Sequence, residues 1–419
     1  MKVITDSSPS PIVSMYLNVD TGSRYESAEA AGINSFLQRM LMKSTVNRST
    51  LRLVQETAKL GMNITTSSSR DNFAFTGEST VEAVDQALGT IADLVSFPAF
   101  EAHELPLELE GLAADHESRK SLIDVQINEN IHAAAFGSSG LGSSIYGNKN
   151  SFHNFNANSL STWHQTFFTS NRMVLSAVGV NHEAFVALAD ELFEGVFPEN
   201  LPVQKTPATY IGGEVRHQDA DHNGLTHFAI GFEAPSWKSK DVYAASVLQT
   251  LLGGGGSFSA GGPGKGLYSR LYTNILCKNQ GIESANSFNS IFEDAGLFGI
   301  YVTADPSEMG KVVDAVVAEA TKLTKVTEEE VARSKNQLKS TILMNLEIRT
   351  NRAEDMARHI ALFGKYDPKA VIDAIDAVTV ADVERVATQM LKSPLSTTSY
   401  GQTTGVLRYD LLQQAFRKA

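Results

Sequence analysis

The feature that most constrains this chain is that its pattern of apolar residues is written twice. In the first half, an alternating β-rich run over Ile12 to Val19 leads through the polar loop DTGSRYES into a helix. That helix carries Ile33, Phe36, Leu37, Met40 and Leu41 on one face. Strands around Asn63 to Thr66 and Phe73 to Thr76 follow, then a helix stepping through Val81, Val84, Leu88, Ile91 and Leu94. A long helical stretch over 104–136, a polar connection, a helix around Leu160 to Phe168 and an apolar strand from Met173 to Val180 complete the half.

About 215 residues later the same order returns. LTHFAIGFE reads as the strand and DVYAASVLQTLL as the helix after it, with IESANSFNSIF and GLFGIYVTA as the next two strands. The helix through Val312, Val313, Val316, Val317 and Leu323 answers the one that starts near Val81. Thr327 and Glu330 have the spacing of a capping box opening a long helix to Leu346. A helix near Ala381 to Leu391 and a strand near Ser396 to Tyr400 close the set. An element order repeated across both halves predicts an internal duplication. Strands mixed with helix pairs, without strict β-α-β alternation, predict an α+β fold of two homologous domains, each a mostly antiparallel sheet with helices packed on it. The Pro-containing polar stretch 198–222 reads as the join, giving domains 1–205 and 206–419.

Composition narrows the function. A formal net charge of −12 argues against nucleic acid as a partner and is compatible with cationic ligands. The single Cys277 excludes an intramolecular disulfide framework. No stretch approaches the roughly 18 uninterrupted apolar residues of a membrane span. The N-terminal segment, Met1 to Val13, has neither an apolar signal core nor an Arg-rich transit pattern.

The loudest local signal is GGGGSFSAGGPGKG at 253–266, between two helical patterns. A phosphate-binding Walker loop would need Gly where Ser259 stands and Ser or Thr where Gly266 stands, and the segment before the loop reads as a helix. Nucleotide binding therefore fails on spacing and context. A mobile loop whose bare backbone can approach an extended ligand is left. Histidines 217, 222 and 227, and the DHE at 115–117, lack the i, i+4 spacing of a helical zinc pair and read as scattered surface residues. No G-x-S-x-G elbow occurs.

The segment SPSPIVSMYLNVDTGSRYES…GINSFLQRMLMKSTVNRS resembles the opening of pitrilysin/insulinase-type zinc peptidases, in particular the mitochondrial processing peptidase group. GGGGSFSAGGPGKGLYSRLY and RSKNQLKSTILMNLEIR resemble the α-type subunits of that group. In active members the segment matching Asn34 to Met40 carries the inverted zinc motif H-x-x-E-H. Here Ser35, Gln38 and Arg39 stand at its three positions, a hydroxyl, an amide and a permanent cation. Zinc needs neutral imidazole or carboxylate ligands, so neither a metal, nor another cofactor, nor a catalytic residue is expected. Members of the group usually carry a targeting segment and a further strand before the part matching Asp6 to Pro11. The first strand is therefore expected to be shortened or the N-terminus incomplete.

The resemblance implies a non-catalytic subunit. It would be the matrix-side core subunit 2 of ubiquinol–cytochrome c reductase (respiratory complex III), peripheral to the mitochondrial inner membrane, with retained presequence binding. Alternatively it would be the substrate-recognising α subunit of a soluble processing peptidase. A stand-alone active zinc endopeptidase is the third reading, and the absent ligands count against it. Implied partners are a homologous β-type subunit (core subunit 1), other subunits of complex III and cationic presequence peptides. The implied peptide-binding residues are Gly253, Gly254, Gly255, Gly256, Ser257, Phe258, Gly261, Gly262, Gly264, Lys265 and Gly266.

Overall fold

The computed structural model describes residues 1–197, 203, 205–219, 221, 224–256 and 267–417. Eleven strands among them form two sheets. In the first, β1 (Lys2–Asp6), β2 (Ile12–Val19), β3 (Asn63–Ser68), β4 (Phe73–Thr80) and β5 (Met173–Val178) lie in the order β1-β5-β2-β4-β3. The second contains β6 (Gly213–Gln218), β7 (Thr226–Glu233), β8 (Gly254–Gly256), β9 (Ile282–Ile291), β10 (Gly296–Ala304) and β11 (Ser396–Gly401), in the order β6-β11-β7-β10-β9-β8. Strand for strand the orders agree, with β8 added at one edge. β1–β5 and β6–β11 are the parallel pairs, and every other pair is antiparallel. The duplicated α+β architecture is therefore a property of the backbone as well as of the apolar pattern.

Two details differ from expectation. Residues 213–218, placed in the join by their polar composition, form an edge strand whose polar side chains suit the rim of a sheet. The helical stretch 104–136 is two helices, Leu105–Lys120 and Ile123–Phe136. At the N-terminus, residues 2–6 pair in parallel register with Val174 to Val178 as a five-residue strand.

Contacts gather the chain into two compact units, neither of them contiguous. The first comprises Met1–Ser118, Ser139–Thr206 and Leu343–Tyr366, and the second Arg119–Ser138, Pro207–Ile342 and Asp367 onward. Each sheet therefore borrows a helix from the other half of the sequence. In the first unit, Val13, Met15, Leu17 and Val19 of β2 pack on Phe36, Leu88, Ile91 and Phe168. The opposite face, with Tyr16, Val174 and Val178, is covered by Ala353, Met356 and Ala357 of helix Arg349–Phe363. Both faces of β2 are buried, which is why its alternation does not show as alternating exposure.

In the second unit, Phe228, Ile230 and Phe232 face the helix layer of Val247, Leu248, Val312 and Val316. Helix Ile123–Phe136 covers the other face of β6, β7 and β11. The two exchanged helices share a signature, His-x-Ala-x-Phe-Gly at 132–137 and 359–364. In each, the histidine packs near the phenylalanine ring, at 6.4 Å and 5.6 Å between centroids. Each also ends in a glycine at positive φ, Gly137 at 84° and Gly364 at 70°, the second of them in the left-handed helical conformation.

Candidate functional site

Helix Ile33–Met40 starts at Gly32 (φ 96°), and its free N–H groups are met by Glu26 rather than by a capping side chain at Gly32. Glu26 accepts from Gly32 N (2.7 Å), Asn34 N (3.0 Å) and Asn34 Nδ2 (2.9 Å). Asn34 Oδ1 in turn accepts from Trp163 Nε1 (3.2 Å) and Thr21 Oγ1 (3.3 Å). Burial pushes the Glu26 carboxyl up to about 7, against the pull of its three donors. The polar loop DTGSRYES thus orients the helix that carries the degenerate motif.

On that helix Ser35 is buried. Gln38 Nε2 donates to Thr66 O of β3 (2.9 Å), and Thr66 Oγ1 donates back to Gln38 O (3.1 Å). The Arg39 guanidinium reaches helix Leu105–Lys120, with Nε 2.9 Å from Glu108 Oε2 and Nη1 2.7 Å from Asp115 Oδ2. Lys43 Nζ holds the other Glu108 oxygen at 2.7 Å. Burial works to raise the Glu108 carboxyl, but hydrogen bonds and charge from Lys43 and Arg39 outweigh it and hold it below its usual range. Room for the guanidinium comes from Gly111, where a Cβ would lie closer than 3.0 Å to Arg39 Nη2.

These residues do not fit the zinc that the family resemblance implies. Arg39 is a fixed cation seated on the two carboxylates that face the motif, and the Gln38 amide is engaged with β3. Among the described residues, no group of three or more His, Cys, Asp or Glu is placed to hold a metal ion. Glu108 carries no motif in the sequence, and Asp115 enters there only as the first residue of the DHE triplet. Their one linear signal is the seven-residue spacing, with Gly111 between, that puts all three on one helix face.

In the glycine-rich segment, Ser257, Phe258, Gly261, Gly262, Gly264, Lys265 and Gly266 lie outside the described residues, as does His222. Gly253 and the three residues after it differ from the expected mobile loop. Gly253 (φ 63°) ends helix Val242–Leu252, and its carbonyl accepts from Ser287 N (3.0 Å) and Ser287 Oγ (2.7 Å). Gly254, Gly255 and Gly256 then pair with Asn286, Ala285 and Ser284 as β8. A Cβ at Gly254 would lie closer than 3.0 Å to Ala285 O, so the bare backbone is what lets the strand seat.

Beyond the segment the chain is clamped by Arg270. Its guanidinium takes both oxygens of Glu330 (2.7 and 2.9 Å) and the carbonyls of Lys322 (3.0 Å) and Lys325 (2.8 Å). Glu330 also closes the expected capping box with Thr327. The Arg270 hydrogen bonds are the main cause of its low pKa, about 2.

The histidines are not simply scattered over the surface. His217 and His227 are the cross-strand neighbours of Tyr400 on β11, and His217 stacks on that ring at 4.6 Å. His227 Nδ1 lies 2.6 Å from Tyr301 Oη, which bonds Asp124 at 2.5 Å. His116 of the DHE triplet packs edge-on against Phe152 at 5.7 Å.

Residues 2–149 match the family described as insulinase (peptidase family M16), and 154–338 match the peptidase M16 inactive domain. The mitochondrial-processing peptidase subunit alpha of Solanum tuberosum is 37% identical over 424 residues, covering 100% of this chain and 83% of that protein. Its counterpart in Caenorhabditis elegans is 31% identical, covering 100% of this chain and 86% of that one. A probable beta subunit from Arabidopsis thaliana is 32% identical over 89% of this chain and 71% of its own length. In the structure titled complex III2 from Candida albicans, Inz-5 bound, one chain shares the fold with a TM-score of 0.83 at 20% identity, covering 99% of this chain and 97% of that one. With two M16 regions in tandem, a doubled sheet topology and a likeness to processing-peptidase alpha subunits that runs through the whole of the given sequence, the chain belongs to the insulinase (M16) peptidase family.

Proposed function

We propose that this chain is a non-catalytic, substrate-handling subunit that works beside a homologous β-type, zinc-bearing partner. The observation that carries the reading is Arg39, bound to Glu108 and Asp115 at the position where an active member needs a zinc ligand. The alpha-subunit relatives support it. The chain would act in mitochondria, either as core subunit 2 on the matrix side of respiratory complex III or as the α subunit of a soluble processing peptidase. One polypeptide can serve both if the peptidase is built into the complex. Its domains would be 1–205 and 206–419, with the glycine-rich segment 253–266 receiving cationic presequences. The acidic net charge adds an attraction for them that salt weakens. No helix among the described residues is long and apolar enough to cross a membrane, which is compatible with a peripheral position.

The test is purification of the tagged full chain from its native source, with identification of what co-purifies and a presequence-cleavage assay. Cleavage should need the β-type partner and should be lost when the partner's zinc is chelated. A chain that cleaves presequences alone, with a tightly held zinc of its own, would overturn the proposal. Co-purifying cytochrome subunits would favour the complex III form.

A further inference from the structure

A cavity of about 560 Å³ opens in the second unit, between helix Val380–Leu391, helix Tyr409–Arg417 and the turn after helix Met309–Thr321. Phe232, Leu391, Leu395 and Phe416 give it apolar walls, the two rings meeting edge to face at 5.3 Å between centroids. Tyr409 Oη donates to Leu395 O (2.7 Å) and holds helix Tyr409–Arg417 against that wall. The hydroxyl protons are spent on nearby carbonyls. Thr321 Oγ1 donates to Ala318 O (2.9 Å), Thr324 Oγ1 to Thr321 O (3.0 Å), Thr388 Oγ1 to Glu384 O (2.7 Å) and Ser393 Oγ to Met390 O (2.7 Å). Lys392 is the one charged residue among the described ones that line the cavity, and it is exposed. It has no ion-pair partner among the described residues. A second hollow shares Thr324, Thr388 and Lys392, but its carboxylate, Glu384, accepts from Val326 N (3.1 Å), and its other cation, Arg385, is taken by Asp241 at 2.7 and 2.8 Å.

An apolar cavity whose hydroxyls are engaged, with one unanswered cation at its rim, suits a ligand with a long apolar body and a single negative charge. We infer that it binds a single-chain fatty acid, with the acyl chain in the cavity and the carboxylate on Lys392. Volume selects the chain. A methylene group takes about the space of a water molecule, roughly 30 Å³, so about 560 Å³ holds one chain of up to about 18 carbons and leaves no room for a second of that length. A two-chain phospholipid is thereby excluded. Charge selects the head, because Lys392 gives a carboxylate the pairing that the walls deny to a polar group. A cationic peptide meets the wrong sign here, so the site is independent of the presequence reading.

The experiment is calorimetric titration of sodium octanoate, decanoate and dodecanoate, each below its micellar concentration, into the full chain paired with its β-type partner. Affinity should rise roughly fourfold per added methylene, the gain from burying one such group. Lys392→Met should weaken dodecanoate about fivefold, the upper value for an exposed ion pair, and leave dodecanol unchanged. It alters an exposed side chain, and a lost fold cannot imitate that split between acid and alcohol. Thr388→Phe, which narrows the cavity, should make the series level off at a shorter chain. Failure of the wild-type pair to bind dodecanoate, no selective loss of the acid in Lys392→Met, or a series that Thr388→Phe leaves unchanged would each overturn the inference. Sedimentation with phosphatidylglycerol vesicles that is lost in Lys392→Met would assign the lysine to a lipid headgroup and overturn it too.

Discussion

Replacing Gly111 with alanine probes whether Arg39 is as firmly seated as its contacts imply. In the middle of helix Leu105–Lys120, an unopposed Gly→Ala change stabilises by about 1 kcal/mol through helix propensity. Here the new methyl meets Arg39 Nη2 and must push the guanidinium off Glu108 and Asp115. Asp115 is 45% exposed, so its bond is worth at most about 1 kcal/mol. The Glu108 side chain is only 8% exposed, and a hydrogen bond between charged groups there is worth roughly 1.5–3 kcal/mol. Glu108 keeps Lys43, which puts the loss near the lower end of that range. The opposing effects leave Gly111→Ala destabilising by about 1 kcal/mol in the wild-type background. With Arg39→Ala already made, the same change should stabilise by about 0.5–1 kcal/mol, because nothing then occupies the space. Thermal unfolding of the four proteins of the cycle reads this as a change of sign, with 1 kcal/mol corresponding to roughly 2–4 °C in units of this size. Equal stabilisation in both backgrounds would mean the guanidinium swings away freely, and Arg39 would then not be a fixed cation at all.

Three further outcomes are expected. The folded state holds the Glu26 proton more tightly than the unfolded chain, so this group's stabilising contribution is complete below its ordinary value of 4.5 and is lost as pH rises through about 7. Melting temperatures measured from pH 5 to 8 should show that decline in the wild type and a flatter profile in Glu26→Gln. Arg270→Met leaves Glu330 without its main partner and takes one of two cations from Glu319, whose side chain is 3% exposed and keeps Lys322 at 3.6 Å. It should cost about 3 kcal/mol in urea unfolding, and Arg270→Lys should recover part of that loss. Gly254→Ala should unseat β8, read as faster hydrogen exchange at the Ala285 and Ser287 amides, which face β8, with the melting temperature of the first unit unchanged.

The elements with a strong period were legible in the sequence. Phe36, Leu37 and Met40 on one helix, the Thr327–Glu330 capping box, and the strands opened by Ile12 and Thr226 all stand where the residues put them. What periodicity lacks is the identity of the surface a face meets. Helices Ile123–Phe136 and Arg349–Phe363 would present the same apolar stripe to either sheet, so the exchange is silent in the pattern, although the repeated His-x-Ala-x-Phe-Gly marks the two as counterparts. The seat of Arg39 was hidden for a related reason, because its partners lie 69 and 76 residues away and an isolated arginine carries no sign of them. β8 has only backbone to show, and a run of glycines reads as a loop until Ser287 and Ala285 are beside it.

The exchanged helices also govern the order in which the chain can finish folding as it is made. The β2 and β5 face bearing Tyr16, Val174 and Val178 is complete once residue 206 has left the ribosome, but its cover ends only at Phe363. At the usual synthesis rates of about 5–20 residues per second, that face waits roughly 8 to 30 s for its helix. Throughout that interval an apolar sheet surface is open to water and to other nascent chains. The nascent chain should be captured by holding chaperones in this window, and that capture should end when the second exchanged helix emerges.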